Sequence, residues 1–169
     1  EIMLPKVMQH LEHHRADNSR NYALAKRNFY RLCDLERLRD DWDQLLIETQ
    51  MLLYVQGAAG YARVQEEFAQ WCGTQYPQLD IQLEQLAVYF ISTYFAGAVY
   101  DGRIYNKADT AVAYLALLYD LFTARWLKNE RDLNTEDVIE LVYRFSREIE
   151  HSDPNLEKME HYQWWRIDK

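Results

Sequence analysis

An all-α bundle of six or seven helices with no β-sheet is the fold this sequence predicts, and three observations predict it. Glycine and proline are scarce, at five and three in 169 residues, which leaves too little turn chemistry for a multistranded sheet. Apolar residues recur at three- and four-residue spacing through most of the chain. Capping sequences stand where several of those stripes begin. A chain of 169 residues is long enough for one compact domain with a sizeable core and short for two, so a single helical domain over 1–169 is expected.

The first helix is expected over about 3–15, leading to Asp17-Asn18-Ser19, any of which can cap a long second helical region from about 20 to 55 with a kink near Asp40-Asp41. Gly57-Ala-Ala-Gly60 reads as a helix–helix corner. Tyr61, Val64, Phe68 and Trp71 or Cys72 then carry a helix that ends before Pro77. Leu79, Leu83, Leu86, Phe90 and Tyr94 form the next stripe, and Ile91 and Phe95 widen it enough to suggest a central helix with contacts on two sides. After a break over 101–109, Val112, Leu115, Tyr119, Phe122 and Trp126 repeat the rhythm, thickened by Leu118 and Leu121. Asn134-Thr135-Glu136-Asp137 is a capped, acidic helix start, and Val138, Leu141, Val142, Phe145 and Ile149 give the clearest amphipathic face in the chain. Ser152-Asp153-Pro154 opens a short last helix to about Tyr162, and Trp164 and Trp165 are expected to dock on the body or on a partner. The stripes over 79–95, 112–126 and 138–149 are expected to form the core, with Leu86, Phe90, Leu115, Phe122, Leu141 and Phe145 buried.

Composition removes several function classes. Nineteen basic against 27 acidic residues give a formal charge of −8, a field that repels phosphate backbones, so no nucleic-acid partner is expected. No apolar run approaches the roughly 20 residues of a bilayer span, so no membrane partner is expected either. Cys33 and Cys72 stand apart, unlike a metal knuckle or a disulfide framework, and read as free thiols in a reducing, cytoplasmic compartment. The chain opens Glu1-Ile2-Met3-Leu4-Pro5 without an initiator methionine or a basic-then-apolar leader, which reads as the start of a C-terminal fragment.

Motifs that carry chemistry are few. Gly57-Ala-Ala-Gly60 lacks the GxGxxG spacing and the preceding strand of a dinucleotide or methyl-donor loop, and no Walker lysine, GxSxG elbow or HExxH pair occurs. His10, His13 and His14 share one side of the first helix, where an i, i+4 pair could span a metal ion. No cysteine or carboxylate completes that site, so a solvated face is expected there. Glu148-Ile-Glu-His151 is a single ExxH, whereas a di-iron bundle needs two on separate helices; no metal is assigned. Glu140, Arg144, Arg147 and His151 step along the side opposite Phe145 and read as a solvated, paired face. Thirteen tyrosines, five tryptophans and six phenylalanines suit a core of large rings. An apolar channel of tyrosines for an alkylammonium or a lysine stem is the sharper alternative, but spacing puts most rings on faces already claimed by packing.

Taken together, Leu83-Glu84-Gln85-Leu86-Ala-Val-Tyr89-Phe90-Ile-Ser-Thr-Tyr94-Phe95, Leu133-Asn-Thr-Glu-Asp-Val138 and Phe145-Ser-Arg-Glu-Ile-Glu-His-Ser152 resemble the C-terminal region of the flagellin lysine-N-methylase family. The resemblance covers about residues 75–160, and the last segment is its most specific part. It implies methyl transfer from S-adenosylmethionine to lysines of a flagellin-like protein, with an iron–sulfur cluster held by cysteines. The family's cysteine cluster belongs to its N-terminal part and has no counterpart here, so cofactor and cluster residues do not carry over, and the fragment alone is expected to be inactive. The implied partners are the missing N-terminal part of its own chain and a flagellin-like substrate. A non-catalytic helical interaction module is the alternative. The polar residues of the family-like segments, Glu84, Arg147, Glu150 and His151, together with Ser152, mark a candidate functional surface at the C-terminal end of the 135–151 helix.

Overall fold

The computed structural model describes residues 18–162 together with 164 and 165. The expected helix over 3–15, with His10, His13 and His14, lies outside them, as does the side chain of Phe95. Seven α-helices make up most of the described chain: α1 (Asn18–Cys33), α2 (Asp40–Thr49), α3 (Gly57–Gln75), α4 (Gln78–Asp101), α5 (Ile104–Lys128), α6 (Thr135–Glu150) and α7 (Asp153–His161). A π-helical turn, Gln50–Tyr54, follows α2 directly. The all-α fold class is as the sequence predicts. No strand occurs among the described residues, and no helix of theirs is long and apolar enough to cross a membrane.

The centre of the fold is α5, not the preceding helix as expected from its stripe. Every other described helix and the π turn pack against α5. Small residues explain the difference: Ala111, Ala113 and Ala124 are buried on α5 and let neighbouring backbones approach, and they do not register in a stripe read through large side chains. Val112, counted in that stripe, is 49% exposed, whereas Tyr114, Leu117 and Leu118 are buried. On α4 only one apolar side is covered, by α5; Ile81, Val88, Tyr89 and Ile91 remain exposed. Of the six residues expected in the core, Phe90, Phe122, Leu141 and Phe145 are buried, while Leu86 and Leu115 are only partly so. The three core helices do not form a closed trio. Helices α4 and α6 each pack on α5 rather than closely on each other. They are linked through Tyr114, whose ring makes edge contacts with Phe90 at 5.3 Å and Phe145 at 5.4 Å.

The helix expected to run from 20 to 55 is broken over 34–39, not kinked at Asp40-Asp41. Arg39 adopts an extended N-cap conformation and α2 begins afresh at Asp40. The loop's backbone groups are satisfied by side chains from far along the chain. Asn155 accepts from the Glu36 N–H at 2.8 Å and donates to the Glu36 carbonyl at 2.7 Å, and Glu148 accepts from the Leu38 N–H at 2.8 Å. No local pattern announces such partners. The Gly57–Gly60 corner has two separate causes. Gly57 takes φ +72°, open to glycine at little cost, and a Cβ on Gly60 would lie 2.5 Å from Gln56 Cβ. The helix itself already begins at Gly57. The break between α4 and α5 is likewise shorter than expected, closing at Ile104 after Gly102 at φ +70°.

Helix α6 starts as its sequence predicts, with a reciprocal capping box: Asn134 accepts from the Asp137 N–H at 3.1 Å and Asp137 accepts from the Asn134 N–H at 3.3 Å. Asn134→Ala is expected to lower stability by about 1 kcal/mol, read as a lower urea midpoint with an unchanged slope. Ser152 caps α7 with Pro154 in its first turn, again as predicted. Trp164 docks on the body: it is buried, its indole N–H donates to Thr110 at 3.3 Å, and its carbonyl accepts from Arg27. Trp165 is partly exposed.

Candidate functional site

The structure separates the four polar residues of the expected surface. Glu84 is exposed on α4 and His151 is exposed just past the end of α6. Arg147 is not solvated as its spacing suggests. Its side chain is 17% exposed, 3.5 Å from Asp41 and 3.7 Å from Glu148, and it lies over the Tyr143 ring. It therefore clamps α6 to α2. Glu140 and Arg144 do form the expected i, i+4 pair, at 2.7 Å. Ser152 is buried as the α7 cap. The ExxH residues also part company, with Glu148 buried against the 34–39 loop and His151 exposed.

Glu150 turns the other way, toward α4. Its carboxylate accepts from Tyr94 at 2.5 Å, from Tyr89 at 3.1 Å, and from Ser146 one turn earlier on α6. A carboxylate at a helix C-terminus opposes the exposed carbonyls, and these three hydroxyls supply the compensating donors. Burial first, and then the bond to Glu150, push the Tyr94 hydroxyl well above the ordinary tyrosine range, so it stays a proton donor. Beside this cluster, in the space that α4 and α6 leave between them, runs a groove of about 570 Å³. Leu86, Phe90, Val138 and Val142 form its apolar wall, and Tyr89 and Ser146, which also line it, both donate to Glu150.

A second polar centre lies inside the bundle, where the sequence reading placed none. Asp120 projects from α5 among buried residues and accepts from Tyr54 at 2.5 Å, Tyr61 at 2.8 Å and Gln65 at 2.6 Å. Desolvation outweighs those three bonds and raises the carboxyl to about 6. A signal was available: Asp120 is the one carboxylate inside the Leu117–Phe122 stripe, and a charge in such a stripe needs buried donors.

A comparison with family models matches residues 3–164 to the FliB lysine N-methylase C-terminal domain. The chain belongs to this family. Neither curated proteins nor solved structures give a match. The match extends well beyond the 75–160 stretch that carries the resemblance, so α1 to α3 and the Asp120 centre belong to the FliB C-terminal domain as much as the α4–α6 groove does. Its own residues do not fit an iron–sulfur cluster. Such clusters take about four thiolates, and the chain has two cysteines. Burial pushes the Cys33 thiol to about 11 and the Cys72 thiol to about 12, away from the thiolate form that ligates iron. Among the described residues no group of three or more His, Cys, Asp or Glu side chains could hold a metal ion.

Proposed function

We propose that this FliB C-terminal domain holds the protein substrate of a lysine N-methylase, a flagellin-like polypeptide, in the groove between α4 and α6. Methyl transfer from S-adenosylmethionine, and the cysteine-held iron–sulfur cluster, belong in this reading to another part of the polypeptide. The two free thiols, Cys33 and Cys72, agree with work in a reducing, cytoplasmic setting.

The observation that carries the reading is the groove's chemistry. An apolar wall about the length of two helical turns adjoins a carboxylate already held in place by Tyr89, Tyr94 and Ser146. A lysine-bearing segment has the matching pattern, an apolar stem and neighbours for the wall and an ammonium for Glu150. Glu84 on α4 adds negative charge on the exposed side. Arg147 and His151 act in this reading as supports of the helix end and not as contacts.

Ile139 lines the groove yet is 63% exposed, so a charge there blocks the wall without entering the core. In the methylase polypeptide that carries this domain, Ile139→Asp is expected to lower methylation of the protein substrate by about tenfold or more, at unchanged thermal stability. Glu150→Gln should weaken capture of the substrate in the same assay. Wild-type methylation by Ile139→Asp would remove the groove from the reaction.

A further inference from the structure

Asp120 is a buried carboxylate with no cation among the described residues to balance it. Its three partners are neutral donors, two on one oxygen and one on the other. A carboxylate offers about four lone-pair positions, so about one stays open. The cations of the adjoining α1 are engaged elsewhere. Lys26 lies 5.5 Å from the Tyr22 ring centre and 5.8 Å from that of Tyr30, and Arg27 donates to the Trp164 carbonyl and to the Asn28 amide oxygen.

A cavity of about 200 Å³ opens beside this carboxylate, with Asn28, Tyr61, Gln65, Ala116, Tyr119 and Asp120 in its wall. Tyr54, which donates to the carboxylate oxygen that Tyr61 and Gln65 leave free, is delivered by the π-helical turn, where Val55 donates to Gln50 at 3.2 Å in place of the α-helical pattern. Such turns are rare and frequently stand at functional sites. The cavity is comparable with about seven waters at about 30 Å³ each, room enough for a butylammonium ion.

The chemistry of the wall selects the occupant. An uncompensated charge in a low-dielectric surrounding favours a cation. A metal ion is disfavoured, because no cluster of three or more ligating side chains is available among the described residues. A guanidinium asks for two acceptor positions in a planar fork, where an ammonium can use one. The Tyr61 and Tyr119 rings, which line the cavity, add a π-face for the charge or for methyl groups on it. The geometry points to a binding site for a small alkylammonium group in the cavity bounded by Asp120, Tyr61, Tyr119 and Asn28. This cavity lies among α1, α3 and α5, away from the α4–α6 groove, and its cation binds whether or not the groove holds a polypeptide.

The test is a titration of the purified chain at neutral pH with n-butylammonium chloride, followed by NMR shifts or calorimetry, with n-butanol as the neutral control. Saturable binding of the amine is expected, with the alcohol about tenfold weaker or worse, as for loss of a charged hydrogen bond. Asp120→Asn should lose about the same factor. Ala116 is an exposed wall residue, so Ala116→Phe should occlude the cavity and abolish binding while leaving the fold intact. If Asp120→Asn fails to fold, Ala116→Phe decides alone. Equal affinity for amine and alcohol, no binding of the amine, or undiminished binding by Ala116→Phe would each overturn the site. None of these results depends on methylation, so they are separable from failure of the groove reading.

Discussion

Replacing Phe122 by alanine is expected to destabilise the domain by about 3–5 kcal/mol. Phe122 is fully buried on α5, the helix against which all the other described helices pack. Removing its ring therefore leaves a cavity whose walls belong to several elements and cannot collapse together. Leu115→Ala on the same helix is expected to cost only about 1–2 kcal/mol, since Leu115 is partly buried and loses less transfer free energy. Net stabilities of domains are about 5–15 kcal/mol, so the first change should remove a large part of the total and the second a small one. Chemical denaturation of both variants checks the ranking. A Leu115→Ala loss as large as that of Phe122→Ala would mean that Leu115 is as fully enclosed as Phe122, against the observed packing.

The second large effect is a pH dependence from Asp120. Its folded-state carboxyl is raised from the ordinary 3.8 to about 6, so the folded chain binds the proton more tightly than the unfolded chain does. The favourable contribution of that proton is fully present below the unfolded value and is lost as pH rises toward and through about 6. The loss totals about 3 kcal/mol, of which about 2 kcal/mol falls between about pH 4.5 and about pH 7.5. Ion pairs work with the opposite sign. Lys128 holds Glu48 low and Arg125 holds Glu140 low, and both pairs contribute above the ordinary carboxylate range and weaken on acidification. They lie near the surface, where screening keeps them small. Comparing urea unfolding of wild type and Asp120→Asn at the two pH values isolates the buried group. The difference between the variants should shift by about 2 kcal/mol in favour of the asparagine at the higher pH. A constant difference would show that Asp120 titrates like an ordinary carboxylate.

Much of the site's scaffold was legible locally. The Asn134 and Ser152 caps, the amphipathic face of α6 and the break before Pro77 all depend on residues within a few positions of one another, and each appears where its local chemistry demands. The proposed substrate surface was legible only in part. Glu150 was singled out from the family-like segment, but its partners Tyr89 and Tyr94 belong to another helix, about 60 positions away in the chain. Arg147 was misplaced for the same reason, and the burial of Glu148 went unforeseen. Helical spacing gives the angle of a side chain around its own axis and says nothing of what a neighbouring segment brings to meet it. Asp41 and the 34–39 loop turn both residues inward.

By itself, then, the sequence determined the all-α class, the order of most helices, several of their ends and the family to which the C-terminal half points. Each of these follows from periodicity, capping and short motifs, which act within one or two turns. The tertiary structure alone decided that α5 is the central helix, that α4 keeps one apolar side uncovered, and that a groove opens between α4 and α6. It also decided that a carboxylate on α5 meets two tyrosines and a glutamine 55 to 66 positions away. The physical reason is that burial is a property of the assembled surface. A stripe of apolar residues specifies a face that should be covered, and only packing selects which faces are, how closely small residues let the helices approach, and which buried charges are left to be balanced by a ligand.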